Sequence, residues 1–423
     1  ASVHSATDKL RVPANTYVTF TLVENPNGTL TLSYAPETCT HSYVRISQED
    51  PTCTKDGTAV YRCETCWDRY TVTTEAYGHD YQLGICQRCG GKDPDYVAVK
   101  QPTISLKYPT LTFEDQIIMN VYYAAGNTED VLSMGLITYD SKVTEWSVDT
   151  AQTVSPGYTW SESDGLYYVT TNGIPAKCLG DTIYFAIYAM LSDGSYSYSN
   201  LISYSPKSYL YNRLKTGDAG VKSLMVSVLN YGAAAQIYFD YKTEALVNAN
   251  LTEEQKALVQ DYSDSMVDAV RLPDAAKLGE MVGNGGYLKR YPTISFEGAF
   301  GINYYFQPSK KPVGDVIMYV WDQEDYDAVP ALKRSNATQE IVMTLMDNGE
   351  YMALVDGISA KDLDKGTYVS FCYTDGTTDY CSGVVGYSIG NYCKSQATRT
   401  GTLAQLAKAT AVYGYYAKFL TIL

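Results

Sequence analysis

The sequence predicts a multidomain, mainly β protein with helical segments. Three observations carry this. The chain has 423 residues, too many for one ordinary domain. Six of its ten Cys and two of its three His fall between Cys39 and Cys89. Beyond them, short matching segments recur in the same order roughly 185 residues apart. The expected order is an N-terminal β-hairpin arm (1–37), a small Cys/His module (38–96), a β-sandwich unit (97–208), a helical segment (209–288), a second sandwich unit (289–390) and a C-terminal helix (391–423).

The arm offers one clear hairpin. Tyr17 to Val23 and Thr29 to Tyr34 flank an Asn25-Pro-Asn-Gly28 turn. A lone two-stranded hairpin is marginal in water, and its open edges invite strand pairing. Residues 1–14 read as a polar arm with no core of their own.

The module reads Cys39-x-His41, Cys53, Cys63-x-x-Cys66, His79, Cys86-x-x-Cys89. Two tetrahedral Zn²⁺ sites need eight ligands, and eight are here. Cys-x-x-Cys lets two thiolates meet one metal from a tight turn, which Gly90 and Gly91 suit. Three disulfides, the competing arrangement, would leave both His unexplained. Chain order favours a nested pairing: Cys53, Cys63, Cys66 and His79 as one site, Cys39, His41, Cys86 and Cys89 as the other. An interleaved pairing is the alternative. With four protein ligands each and no open position, both sites read as structural, supplying much of the folding energy of a segment with little core.

The runs Pro51-Thr-Cys-Thr-Lys-Asp-Gly57, Tyr61-Arg-Cys-Glu-Thr-Cys66, Tyr77-Gly-His-Asp-Tyr81 and Gly84-Ile-Cys-Gln-Arg-Cys-Gly90 resemble zinc-ribbon-like repeats of secreted, modular surface proteins of anaerobic Gram-positive gut bacteria. The resemblance implies an extracellular structural metal module and no activity. Trp67 departs from it, standing where Gly commonly follows the second Cys.

The rest is one unit used twice. Pro102-Thr-Ile-Ser105 returns as Pro292-Thr-Ile-Ser295, and Gly173-Ile-Pro-Ala-Lys177 as Gly357-Ile-Ser-Ala-Lys361. Tyr204-Ser205 matches Tyr387-Ser388, and Tyr231-Gly232 matches Tyr413-Gly414. The drift is slow, as in a duplication with small indels. Alternating strands (Ile183 to Met190; Tyr368 to Tyr373) and Gly turns (Ser192-Asp-Gly194; Asp375-Gly376) predict Ig-like sandwiches. The period then turns helical: Val221, Leu224, Met225, Val228 and Leu229 share one face, as do Leu403, Leu406, Ala407, Ala411 and Gly414. In the first copy Thr252-x-x-Gln255 predicts a capping box opening a further helix through Leu258, Tyr262, Met266 and Val270. The second copy has no such companion, so its helix is expected to leave an apolar face uncovered. The segment Asn230-Tyr-Gly-Ala-Ala-Ala-Gln236 with Tyr238-Phe239, after Gly-Ile-Pro-Ala-Lys and Ser203-Tyr-Ser-Pro206, is similar to a recurrent module of the same surface proteins.

Of the remaining Cys, Cys372 and Cys381 are symmetric about Gly376-Thr377 and face each other across a hairpin, within disulfide reach. Cys381–Cys393 is the rival pair, and free thiols are the third option for these residues and Cys178.

Composition narrows function. A net charge of −15 argues against nucleic-acid binding and a polybasic membrane surface. No run reaches the ~20 apolar residues of a membrane span. Tyr outnumbers Phe 41 to 9, which suits half-wet contact surfaces. The chain opens at Ala1, as a cleaved secreted protein would. Scarce charge and abundant Thr, Tyr and Gly lean the same way, to an extracellular location.

There is no P-loop, no dinucleotide Gly fingerprint and no HExxH. His4 lies in the arm and the other His are taken by metal, so no catalytic residue is assigned and no enzyme is expected. The run Asp322-x-Glu324-Asp325-x-Asp327 reads as a solvated acidic loop. The expected function is a structural protein of the cell surface that self-assembles head-to-tail into a filament or layer. A glycan-binding adhesin and a polysaccharide-active enzyme are the alternatives.

Overall fold

The computed structural model describes residues 16–113, 116–270, 272–296 and 299–419. The polar arm expected over 1–14, with His4, lies outside them. The protein is mainly β, with 36% strand and 21% helix, and divides after Val99 into two compact units.

The first unit holds three sheets. β1 (Thr16–Glu24) and β2 (Leu30–Thr38) form the hairpin, in register from Thr16↔Thr38 to Glu24↔Leu30. Its turn closes where the Gly28 N–H donates to the Asn25 carbonyl, with Gly28 at φ +79°. Alternation puts Phe20, Leu22, Leu30 and Leu32 on one face, and all four are exposed. β3 (Tyr43–Glu49), β4 (Gly57–Cys63) and β5 (Arg69–Thr74) form a meander with β4 central. β6 (Tyr81–Gln82) and β7 (Ile85–Cys86) make a short hairpin after it.

The second unit contains the duplication, with the strand order repeated in both copies. In the first copy β8 (Thr103–Thr112), β9 (Ile118–Gly126), β12 (Thr159–Ser161) and β13 (Leu166–Thr170) form one sheet, ordered β12-β13-β9-β8. The other contains β10 (Val131–Tyr139), β11 (Thr153–Pro156) and β14 (Ile183–Leu191), with β15 (Tyr196–Tyr198) and β16 (Ile202–Tyr204) both on β14. α1 (Pro206–Thr216) and α2 (Ala219–Tyr238) follow, then the single turn α3 (Glu253–Lys256).

In the second copy β17 (Gly286–Leu288) and β18 (Thr293–Ser295) together take the place of β8, both pairing with β19 (Phe300–Pro308). β20 (Ile317–Asp322), β21 (Gln339–Val342), β22 (Thr344–Leu345), β23 (Tyr351–Ile358), β24 (Thr367–Thr374), β25 (Asp379–Cys381) and β26 (Val385–Tyr387) pair as β10 to β16 do. α4 (Gln323–Ala328) is inserted after β20, and α5 (Ile389–Ala397) and α6 (Thr402–Ala417) end the copy.

The two sheets of each copy face each other. The Tyr123 hydroxyl on β9 reaches Met134 Sδ on β10 at 3.7 Å. Phe306 on β19 stacks on Phe371 of β24 with centroids 4.7 Å apart. The second sheet of each copy is also covered outside, by Trp146 and Val148 in one and by Met281, Tyr326 and Leu332 in the other. β24 is therefore buried along nearly its whole length, on both faces.

The repeated motifs take matching places in the two copies. Ser205 and Ser388 cap α1 and α5, their hydroxyls accepting from the N–H groups of Ser208 and Asn391. The recurrent Ala-Lys segments form short 3₁₀ turns (Ala176–Cys178, Ala360–Asp362). Leu179 and Leu363, just after them, accept from the N–H groups of Lys207 and Gly390 in the first turns of α1 and α5. Gly232 and Gly414 let α2 and α6 seat on those 3₁₀ turns, since a Cβ would press on Leu179 and Ala176 in one copy and on Leu363 and Ala360 in the other.

Three expectations change. α6 has no uncovered apolar face: Leu406, Ala407, Thr410, Ala411 and Tyr413 are buried, and Tyr413 stacks on Tyr231 of α2. The Thr252–Gln255 capping box forms, with both reciprocal bonds, but the helix lasts one turn. The backbone beyond it is spent on neighbours instead of on itself: Gln260 N–H donates to the Tyr416 hydroxyl, Val270 N–H to Asn391 Oδ1, and Leu258 O accepts from Ser223. The acidic run is not a loop but α4, capped by Asp322 accepting from the Asp325 N–H.

Cys372 and Cys381 are directly opposite in the β24–β25 register, Cα atoms 4.2 Å apart, and form a disulfide. Cys178 and Cys393 are free thiols, Cys393 fully buried.

Candidate metal centres

The eight sequence-predicted ligands come together as two sets of four, each with its ligand atoms within 4.8 Å of one another. The sets are Cys39, His41, Cys63 and Cys66, and Cys53, His79, Cys86 and Cys89. The pairing is interleaved, which corrects the nested scheme. The meander explains why. β4 runs from Gly57 to Cys63, about 20 Å at strand rise. Cys53, in the turn before β4, and Cys63, at its end, therefore sit at opposite ends of the sheet and cannot share a metal. At the Cys63 end, Tyr43 pairs opposite Cys63, which brings Cys39 and His41 in from the start of β3. At the other end β5 finishes opposite Gly57, and Tyr77 N–H donates to the Thr52 carbonyl, delivering His79 to Cys53.

Both sets fit a tetrahedral cation. In the first, Cys39 and Cys63 sulfurs are 3.6 Å apart, and Cys66 Sγ lies 3.2 Å from His41 Nδ1. In the second, Cys53 and Cys86 sulfurs are 3.7 Å apart, and Cys89 Sγ lies 3.4 Å from His79 Nδ1. Zinc–ligand bond lengths in a tetrahedron give about 3.8 Å between sulfurs and about 3.5 Å between sulfur and nitrogen. Among the described residues, no other His, Cys, Asp or Glu group gathers three ligand atoms this closely.

The electrostatics of the thiols ask for a cation. The Cys66 N–H holds the Cys63 thiol down to about 5 against the pull of burial, helped by His41 and the N–H groups of Thr65 and Ser42. Burial pushes Cys86 up, but the N–H groups of Asp80 and Cys89, with His79, outweigh it and bring it to about 5. Burial, with the neighbouring sulfurs, pushes Cys39 up to about 12 and Cys53 to about 11. Three crowded thiols cannot all ionise alone; a divalent cation removes the conflict.

The two sites share a grammar that ligand spacing alone did not reveal. Each His is followed two residues on by a Tyr stacked on its ring: Tyr43 on His41 at 5.1 Å and Tyr81 on His79 at 4.9 Å between centroids. The residue between them, Ser42 or Asp80, turns its N–H to the first sulfur of the Cys-x-x-Cys. The signal in the sequence is His-x-Tyr ahead of Cys-x-x-Cys, used twice. The knuckle turn is also repeated. Trp67 N–H donates to the Cys63 carbonyl and Gly90 N–H to the Cys86 carbonyl, at φ +64° and +71°. Trp67 thus keeps the turn that its counterpart makes with Gly, under the Arg62 guanidinium 4.2 Å from its ring.

No helix among the described residues is long and apolar enough to cross a membrane. No protein-family model matches the chain, and no curated protein is significantly similar to it.

Proposed function

We propose that this chain is an extracellular structural protein of a bacterial cell surface, with Zn²⁺ in both Cys₃His sets, that self-assembles head-to-tail into a filament or layer. In this reading it is not an enzyme. The observation that carries the assembly is the hairpin. Leu22, Leu30 and Leu32 share one face and are 65%, 66% and 55% exposed, in a sheet too small to be stable by itself. A second copy of the chain is the occupant that the resemblance to modular surface proteins favours. Because α2 covers α6, the receiving surface is a sheet edge, for which the exposed Val342 on edge strand β21 and Leu345 on β22 are suited.

Zinc is favoured by the donor set, three thiolates and one imidazole in a closed tetrahedron. Negative-stain microscopy and sedimentation of the purified chain test the assembly. Polymers that dissolve on Leu22→Lys with Leu32→Lys support it, and a wild-type chain that stays monomeric under native conditions overturns it. Metal analysis should find close to two zinc ions per chain.

A glycan-binding reading is favoured by Tyr158 and Trp160, which are exposed and both packed edge-on against Tyr167. Saturable sugar binding abolished by Trp160→Ala would move the assignment there.

A further inference from the structure

The two metal sites are built alike but supported differently. No ligand of the first set is exposed, and Cys63 is fully buried between paired strands. Its Tyr43 is anchored by a 2.6 Å hydrogen bond to Asp68 and braced edge-on by Tyr70, which stacks on Tyr61. In the second set Cys89 and His79 are exposed. Three of its four ligands come from residues 75–96, where regular structure is limited to the two-residue strands β6 and β7. Within that stretch Cys86 is the one buried side chain. A few hydrogen bonds tie it down otherwise, from the N–H groups of Ala76 to Asp56 and of Tyr77 to Thr52. So little apolar burial cannot offset the entropy of ordering some twenty residues.

We infer that the second site, resting on the zinc reading above, is a metal-operated latch: its metal exchanges first, and its loss frees residues 75–96, the chain leading to the second unit. The first metal stays, because its ligands hang on the three-stranded sheet. An incoming chelator reaches the exposed Cys89 and His79 directly, whereas every ligand of the first site is at least half-buried and Cys63 is held within the sheet. Release therefore converts residues 75–96 from an ordered segment into a flexible one while the β3–β5 sheet persists.

The experiment uses the full chain reconstituted with Zn²⁺ and titrated with EDTA, followed by native mass spectrometry and brief trypsin digestion. A one-metal species should accumulate, with half-loss of the second site's metal at about tenfold less chelator than that of the first site. Cuts after Arg88 and Lys92 should appear with that species, and cuts after Arg62 and Arg69 only in the metal-free chain. Cys89→Ser and His79→Ala should each bind one metal and be cut after Arg88 without chelator. Loss of both metals together, or a one-metal species or variant still protected at Arg88 and Lys92, overturns the latch and leaves the zinc reading standing. A reconstituted chain holding no metal overturns both.

Discussion

Tyr231 and Tyr413, one from each copy of the repeat, stack with ring centroids 5.4 Å apart and planes 22° from parallel. Each also reaches into the opposite copy: Tyr231 lies against Phe300 at 5.5 Å, and the Tyr413 hydroxyl donates to the Phe113 carbonyl. Both are buried. Truncating either to Ala should destabilise the second unit by about 3–5 kcal/mol. Because the rings touch, the double variant should lose less than the sum of the singles. Urea unfolding of the four chains measures this.

The glycines beside these tyrosines differ in how tightly they are held. A Cβ on Gly414 would lie 2.5 Å from Leu363 Cδ1 and 2.8 Å from the Ala360 carbonyl oxygen. On Gly232 the nearest atoms are 2.9 Å away, both tips of side chains, Leu179 and Val247. Ala gains about 1 kcal/mol of helix propensity at either place, against about 1–3 kcal/mol of overpacking. Gly414→Ala should therefore lower the melting temperature clearly, and Gly232→Ala should come closer to neutral.

Interleaving makes a counting prediction. Cys53→Ser with Cys89→Ser removes ligands from one set and should leave one zinc per chain. Cys53→Ser with Cys63→Ser strikes both sets and should leave less than one. A nested pairing would reverse the two results, so metal analysis of the two double variants separates them.

The clustering of the eight candidate ligands, the N-terminal hairpin and the Cys372–Cys381 bond were legible because each rests on local spacing, and the duplication because matched segments keep their order. How the ligands pair was not, because it depends on which end of β4 each residue occupies, and chain order says nothing of that. The segment after Gln255 misled for a related reason. Leu258, Tyr262, Met266 and Val270 keep a helical period, yet Gln260 and Val270 give their N–H groups to Tyr416 and Asn391, from the other copy. The repeat offered a clue to α6's partner: the matched Tyr-Gly pairs mark where the two helices meet. Ser199 and Ser382, whose hydroxyls accept from the Ile187 and Phe371 N–H groups, are a further match, too short to stand out in the sequence.

The reciprocal packing of α2 and α6 makes the second unit a dimer written on one polypeptide. Tethered halves meet at an effective concentration of the order of millimolar, so the contact survives any dilution that the chain itself survives. Fusion also frees the halves from having to be identical. One has acquired a disulfide and the acidic turn α4 without imposing either on the other, an asymmetry that two separately made subunits of a single sequence could not hold.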